Sequence, residues 1–314
     1  MKTNLLIIFI FSFLFTSCIK EKTALNFNMQ QGKTYGLEMV TVQNITQTIM
    51  NTEQKIKNEM NVNMKFKVIQ KDTINKFYDL EVWYEKIKMS INSDNFNIDM
   101  DSEQAGKTDN IFANMMNEML NKPFHIYMTE KGKIDSISNI DTLFSTLFNS
   151  IPDIGQDSKD NILQSLLQNF GSEAFTGSFE SLTALFPEKE DEIQVGKKWE
   201  NTIVSNAMLN FETKTQWKLD KFNNDGIYLT GKAEIKTLEG DSTMAESMYN
   251  TRYELNGTQT SSFVLNPVSK WIKEGTVSQQ VKGKVFANNP MFGKESVEWP
   301  MTFTTETVYK GIEY

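Results

Sequence analysis

The chain has 314 residues, a formal net charge of −8 and 39% hydrophobic residues, with 22 phenylalanines and 17 methionines. This composition can build a sizeable core and argues against intrinsic disorder. Arg252 is the single arginine in an acidic total, so the arginine clusters and basic face that nucleic-acid binding requires are missing. One cysteine excludes an internal disulfide, and one histidine excludes any site that needs two histidines.

Residues 1–17 are organised like a secretory signal peptide. Lys2 precedes an apolar stretch at residues 5–15, and the small residues Thr16 and Ser17 follow it. Eleven helical residues rise only about 16 Å, which is roughly half of the ~30 Å hydrocarbon core of a bilayer. The stretch is therefore too short for a spanning helix and fits the apolar region of a signal peptide.

The only cysteine, Cys18, directly follows these small residues. Residues 15–18 (FTSC) resemble the lipobox of bacterial lipoproteins, although Phe15 replaces the usual leucine. This resemblance implies that Cys18 carries acyl chains such as palmitate, which would anchor an outer-membrane lipoprotein of the cell envelope. Residues 18–26 are then a lipidated tether, and a periplasmic or a surface-exposed orientation is open. An ordinary secretory signal that contains a cysteine is the alternative.

Residues 27–140 are predicted to form a first β-rich half with one helix. Apolar and polar residues alternate along 60–68 and again along 78–84, as they do in strands with one buried face. The apolar phase then shifts by one residue before Ile87, which predicts a β-bulge near Glu85-Lys86. Shorter strands are predicted at 96–100, 124–128 and 134–140.

Residues 141–187 are predicted to be a helical segment. Apolar residues at three-and-four spacing also predict a short helix over 111–120, which ends before Pro123. Stripes of this kind usually face a core. Methionine side chains on the short helix would also suit a movable cover over a cavity, because they are flexible. These are Met115, Met116 and Met119.

Residues 188–314 are predicted to form a second β-rich half. Strands at 208–219 and 227–236 flank an Asn-Asn-Asp-Gly turn, and Asp-Gly is a strong hairpin signal. The two halves look like weak copies, since residues 31–35 (QGKTY) are similar to residues 195–199 (VGKKW). The predicted fold class is α+β, mainly antiparallel β in two similar halves with a helical segment between them. Further strands are predicted at 253–265, 271–281 and 297–307.

Several of these motifs together resemble a family of uncharacterised Bacteroidota envelope lipoproteins, a domain of unknown function. The resemblance covers most of residues 25–310 and implies duplicated antiparallel halves. It carries no catalytic residue that could be transferred to this chain. The matching segments are Gly32–Tyr35, Asp101–Glu103, Lys122–Phe124, Lys131–Ile134 and Val195–Trp199.

No pattern indicates a catalytic centre or a cofactor, and a protein that is not an enzyme is predicted. Cys18 would be acylated, and lone His125 lies on the polar side of an alternating strand, where an exposed or hydrogen-bonded histidine is expected. The acidic run Glu188–Glu192 is predicted to be an exposed linker. Paired carboxylates for glycoside hydrolysis are an open alternative, because acidic residues are plentiful and their spatial separation is unknown.

Three acidic residues at alternate positions form the most plausible metal site. Asp99, Asp101 and Glu103 would project to one side of an extended segment and could bind calcium. However, Gln104 stands where an EF-hand loop requires glycine, so a solvated turn is the preferred interpretation. No metal site is therefore predicted.

Two functions follow for a membrane-anchored envelope lipoprotein. The first is a structural or protein-interaction module that contacts an envelope partner. The alternative is a binding protein or carrier for a hydrophobic, lipid-like ligand held between the sheet and the helices. A large apolar cavity would favour the carrier and a solid core the module. Ala113 and Ala184 are candidate positions for substitutions that would fill such a cavity.

Overall fold

The computed structural model describes residues 22–94, 96–104, 111–149, 163, 167, 171–189, 192–206, 210–238, 251–287 and 297–314. The predicted signal peptide and Cys18 lie outside these residues. The strands are β1 (Lys22–Ala24), β2 (Thr34–Ile49), β3 (Thr52–Asp72), β4 (Phe77–Ser93), β5 (Asn97–Asp101), β6 (Phe124–Thr129), β7 (Ile134–Ser138), β8 (Glu192–Gln194), β9 (Lys198–Asn206), β10 (Asn210–Asn223), β11 (Gly226–Thr237), β12 (Thr251–Leu265), β13 (Ile272–Ala287) and β14 (Val297–Glu313). The α-helices are α1 (Ile111–Glu118), α2 (Ile140–Asn149) and α3 (Ser172–Thr183).

Twelve strands form one large antiparallel sheet, which confirms the predicted α+β class with mainly antiparallel β structure. The strand order is β7-β6-β4-β3-β2-β14-β13-β12-β11-β10-β9, and β5 pairs with β4. Both predicted hairpins are present, since β3 pairs with β4 and β10 pairs with β11. The two halves are joined in the middle, where β14 pairs with β2 along most of its length.

The two halves repeat the same local geometry at their openings. Each begins with a turn at a glycine of positive φ, +83° at Gly32 and +88° at Gly196, which glycine adopts at little cost. Gly32 donates its N–H to the Val68 carbonyl at 2.8 Å, and Gly196 donates to the Leu219 carbonyl at 2.7 Å. Directly after Val68 the pairing of β3 with β4 shifts register, and directly after Leu219 the pairing of β10 with β11 does the same. The similar glycine motifs therefore mark a repeated structure.

The predicted bulge in β4 is also confirmed. Asn63 of β3 pairs with Lys86, whereas the next residue, Met64, pairs with Tyr84, so Glu85 is the extra residue. Because the bulge changes the phase of the strand, Tyr84 and Ile87 both face the interior and are buried. This explains why the apolar pattern of the sequence shifts by one residue at this point.

Helix α3 bridges the two edge strands of the sheet. The strand order from β7 at one edge to β9 at the other contains eleven strands. At the usual spacing of neighbouring strands, these edges would be about 48 Å apart in a flat sheet. Both edges nevertheless contact α3, whose 12 residues rise only about 18 Å. The sheet is therefore strongly curved around its inner face.

Specific hydrogen bonds hold this bridge. Glu180 of α3 accepts a hydrogen bond from the Ile134 backbone N–H of β7 at 2.9 Å. On the other side, the Asn201 amide of β9 donates to the carbonyls of Ala184 and Phe186 at 2.6 and 3.0 Å. The backbone groups of an exposed sheet edge and of a helix end are thus satisfied together.

The predicted end of the tether at residue 26 is too late. Residues Lys22–Ala24 form β1, which pairs antiparallel with β8. Leu25 is 0% exposed and Phe27 is 1% exposed, and burial of each such side chain contributes about 1.5–3 kcal/mol. This apolar burial makes residues 22–27 part of the fold. Glu192, predicted to be in a linker, lies in β8, whereas Glu188 is exposed as expected.

Candidate functional site

A cavity of about 490 Å³ lies between the inner face of the first half and the helices. Its volume falls in the range of small-molecule sites. Alternate residues of β2, β3 and β4 form one wall, because side chains two positions apart share a face of a sheet. The apolar residues of this wall are Leu37, Met39, Met60, Val62, Met64, Ile87, Met89 and Ile91. The residues that face them from the helices, or from the turn that follows α1, are Met116, Met119, Phe144, Phe175, Phe179 and Leu182.

Methionine is prominent around this cavity. Met116 and Met119 of the predicted cover line it and are otherwise buried, whereas the side chain of Met115 lies outside the described residues. Flexible thioether side chains can repack around different apolar ligands. Ala113 and Ala184, the candidate positions for filling substitutions, are not among the described residues that line the cavity. Ala113 is instead buried in the helix packing.

One end of the cavity is polar. Gln43 donates to the Thr305 hydroxyl at 3.3 Å and accepts a hydrogen bond from the Asn58 amide at 3.1 Å. The hydroxyls of Thr41 and Thr307 lie 3.1 Å apart. We call these five residues, Thr41, Gln43, Asn58, Thr305 and Thr307, the polar belt. Three of them, Thr41, Gln43 and Asn58, line the cavity directly.

The Asn58 side chain has an unused acceptor. Its Oδ1 atom is buried and has no hydrogen-bond partner, although its Nδ2 donates to Gln43. Buried polar atoms in proteins are nearly always paired, so an unpaired one calls for an explanation. This atom belongs to a residue of the cavity wall. The oxygen is covered in this structure, so the Asn58 amide must shift towards the cavity before a donor held there can complete its hydrogen bonding.

The lining offers neutral polar groups. Burial raises the pKa of Tyr309 to about 12, although a hydrogen bond with Thr307 opposes this change. Burial likewise raises the pKa of Tyr84. Both hydroxyls are therefore protonated near neutral pH. Glu59 also borders the cavity, but Lys57 binds its carboxylate at 2.7 Å and lowers its pKa.

The corresponding inner face of the second half is filled by aromatic rings. Trp217 of β10 is 3% exposed and packs over Gly231, where an added Cβ would lie 2.7 Å from the indole ring. Phe263 packs over Gly275 in the same way, at 2.4 Å from an added Cβ. Glycines on the neighbouring strands thus make room for large rings, which pack closely against them.

His125 lies on the outer face of the sheet, away from the cavity. Its Nδ1 is 3.0 Å from Oδ1 of Asp79, which confirms the prediction of an exposed or hydrogen-bonded strand histidine. The neighbouring residues Leu80 and Ile126 are fully buried on the inner face. The contact is therefore separate from the lining of the cavity.

The acidic stretch Asp99–Glu103 lies at the end of β5, and its structure differs from the predicted solvated turn. Asp101 is 7% exposed, and its carboxylate accepts the backbone N–H of Glu103 at 2.9 Å and binds Lys88 at 3.2 Å. Burial acts to raise the pKa of Asp101, but these hydrogen bonds and charges hold it below the ordinary value. Glu103 pairs separately with Lys86. Within the described ranges, no group of three or more His, Cys, Asp or Glu is arranged to hold a metal ion.

Comparison with known proteins gave one family match. The model of a family described as "Family of unknown function (DUF6263)" matches residues 75–272, which is more than half of the chain. A comparison with curated proteins found no match. Of the part of the chain that the structure describes, no helix is long and apolar enough to span a membrane.

Solved structures show only a distant likeness. Lipovitellin, in a structure of its lipid–protein interactions, is 10% identical with a TM-score of 0.45, over 91% of this chain and 25% of that chain. This chain therefore spans about a quarter of the lipovitellin chain. The translocator domain of the autotransporter NalP from Neisseria meningitidis is 8% identical with a TM-score of 0.22, over 90% of both chains. An outer membrane channel from Pseudomonas putida F1 is 6% identical with a TM-score of 0.20, over 91% of this chain and 98% of that chain. Such scores carry no functional inference.

Proposed function

Because this chain belongs to the DUF6263 family, which has no known function, we propose a function from its own geometry. The protein is a non-catalytic, membrane-anchored lipoprotein of the cell envelope that holds a hydrophobic or lipid-like ligand between its sheet and its helices. The observation that supports this function is the apolar cavity of about 490 Å³. A solid interior would favour a structural or protein-interaction module, whereas the first half encloses this cavity.

The chemistry of the wall favours an acyl-like ligand. Met39, Met60 and Met89 are only partly buried although they pack against the main core, because they face the cavity. Apolar surface that stays accessible forgoes about 25 cal/mol per Å² of burial, and each methylene that leaves water contributes about 0.8 kcal/mol. A flexible chain that fills the cavity therefore gains free energy along its whole length.

A substitution that fills the cavity tests this function. Val62 lies on the cavity floor between Met39 and Ile87, its partners on the neighbouring strands. We expect Val62→Phe to place its ring in the cavity and to weaken binding of a fluorescent fatty acyl probe at least tenfold. The matched control is Val40→Phe, which makes the same change at an exposed position on the outer face of β2.

The measurement is a fluorescence titration of the purified protein, with circular dichroism to confirm that each variant keeps its sheet. Equal binding by Val62→Phe and Val40→Phe would place the ligand elsewhere. If the unsubstituted protein binds no acyl, sterol or quinone probe, the ligand proposal fails, and the structural or protein-interaction module is the function to pursue.

The envelope location rests on the signal-peptide pattern and on Cys18. If Cys18 carries the lipid anchor, Cys18→Ala releases the protein from the membrane fraction or leaves the precursor uncleaved. Fractionation followed by mass determination of the N-terminus measures both outcomes. A cleaved Cys18→Ala protein that stays in the membrane fraction would contradict this anchor.

A further inference from the structure

Building on the proposed function, we infer the class of ligand that the cavity takes. The ligand is an uncharged single-chain amphiphile whose head carries a hydrogen-bond donor such as a hydroxyl group. Its chain lies among the methionines, and its head donates to Oδ1 of Asn58.

The wall becomes polar on two neighbouring strands, at Asn58 on β3 and from Thr41, the partner of Met60, on β2. Along β3 the inward residues are Met64, Val62, Met60 and then Asn58, each step being about 7 Å. On β2, Gln43 is the direct cross-strand partner of Asn58, and the two side chains are hydrogen-bonded. A ligand that follows the wall therefore meets apolar groups first and a polar group at one end. This order matches the two parts of an amphiphile.

The head group must supply a donor. The amide nitrogen of Asn58 is used by Gln43, whereas its Oδ1 is buried and unpaired. A buried acceptor without a partner costs about 1–3 kcal/mol, which a ligand hydroxyl would recover by donating its proton. Ester and ether heads lack a donor and cannot do this. The unpaired Oδ1 of Asn58 therefore favours head groups that carry a donor over head groups of similar size that lack one.

The head group must also be uncharged. Among the described residues that line the cavity, none is a lysine or arginine that could pair with a carboxylate or phosphate head. Glu59 is the acidic residue of the set, and its carboxylate is bound by Lys57. Position 59 also alternates with Asn58 and Met60, so its side chain belongs to the other face. A charged head would lose its hydration here without gaining a counter-ion, which is costly.

A series of ligands with one chain and different heads tests this inference. Oleyl alcohol, methyl oleate, oleate and oleylamine are titrated against the full-length protein, each displacing the uncharged dye N-phenyl-1-naphthylamine. We expect oleyl alcohol to bind about tenfold more tightly than methyl oleate, which has no donor. Oleate and oleylamine bind more weakly than oleyl alcohol. Equal affinities across the series, or tighter binding of a charged head, would overturn the inference.

The variant Asn58→Leu locates the effect. It removes the acceptor, and we expect the preference for oleyl alcohol over methyl oleate to disappear. The matched control is Asn61→Leu, the same change on the same strand at a position that faces outwards, and it keeps the preference. An unchanged preference in Asn58→Leu refutes the assigned contact.

The two proposals fail in different ways. If all four probes displace the dye equally, the cavity binds their hydrocarbon chain whatever the head group is. Only the inference on the head group is then contradicted. If neither the dye nor any chain binds, the proposed function fails first. The head-group series on the unsubstituted protein decides the matter even if Asn58→Leu does not fold.

Discussion

The two halves of the sheet share a backbone plan and differ in what fills it. Both open with a glycine turn, bond that turn to the second strand and then shift register at the same place. In the second half, Trp217 and Phe263 occupy the space above Gly231 and Gly275. In the first half, the counterpart of Trp217 is Phe66, since both lie two residues before the acceptor of the glycine turn, and Phe66 is also buried. The difference lies further along β3, where Met64, Val62 and Met60 line the cavity.

This difference shows where a binding site can arise in a repeated fold. The backbone hydrogen bonds of a sheet do not depend on which side chains cover its face, so both halves pair normally. The volume enclosed depends on side-chain size and on the glycines opposite. Both halves contribute buried apolar residues to the core, and the cavity lies beside those of the first half.

The largest expected effect is the loss of the central ring of the second half. Trp217→Ala should lower the free energy of unfolding by about 3–5 kcal/mol, because the removed indole leaves a large void. Met60→Ala, on the cavity wall, should cost only about 1 kcal/mol, because its side chain already faces open space. Urea unfolding of both variants measures the contrast. Similar losses would show that the first half is as tightly packed as the second.

A smaller effect is expected where a glycine makes room for a ring. Gly231→Val should lower the free energy of unfolding by about 1–3 kcal/mol, because the new methyl groups meet the Trp217 ring. Lys232→Val on the same strand is exposed and should change it by less than about 0.5 kcal/mol. Thermal unfolding of this pair checks the prediction, and a neutral Gly231→Val would contradict the description of a filled interior.

Alanine substitutions in the two opening turns should lower the free energy of unfolding by similar amounts. Gly32 and Gly196 both have positive φ, and no atom lies near an added Cβ, so alanine introduces backbone strain alone. Each substitution should cost about 1–2 kcal/mol. The double variant should show the sum within about 0.5 kcal/mol, because distant sites are additive. Unequal costs at the two turns would weaken the view that the halves are equivalent.

The smallest effect concerns alkaline pH. Burial raises the pKa of Tyr309 and of Tyr78 to about 12, against an ordinary value of 10.0. The unfolded chain releases these protons first as the pH rises, so the stability they contribute is complete below pH 10 and is lost towards pH 12. Tyr309→Phe should therefore flatten the decline in unfolding free energy over this interval, as measured by urea titrations at several pH values. An unchanged decline would assign the alkaline sensitivity to other groups.

The sequence predicts local structure in this protein better than it predicts the site. Alternation revealed the strands, and the phase shift located the bulge at Glu85, because both signals depend on neighbouring residues. The cavity could not be predicted, because the same apolar stripes line a hollow interior or fill a solid one. In the sequence alone, Asn58 is one of many polar residues on β3 and has no feature that distinguishes it. Its importance arises from Gln43 on the next strand and from a buried oxygen without a partner. The burial of Asp101 likewise depends on Lys88 across a strand pair.

The pairing of β14 with β2 has a consequence for the order of folding. Thr41 and Thr307 meet across this junction although they are 266 positions apart in the chain. Until residues 297–313 have been synthesised, β2 and β13 each present a row of unpaired backbone groups, which is the feature of a sheet most prone to aggregation. Pairing over so long a separation is also slow. Strand β14 therefore decides when two separate sheets become one, and a nascent chain needs protection at those two edges until β14 has been synthesised.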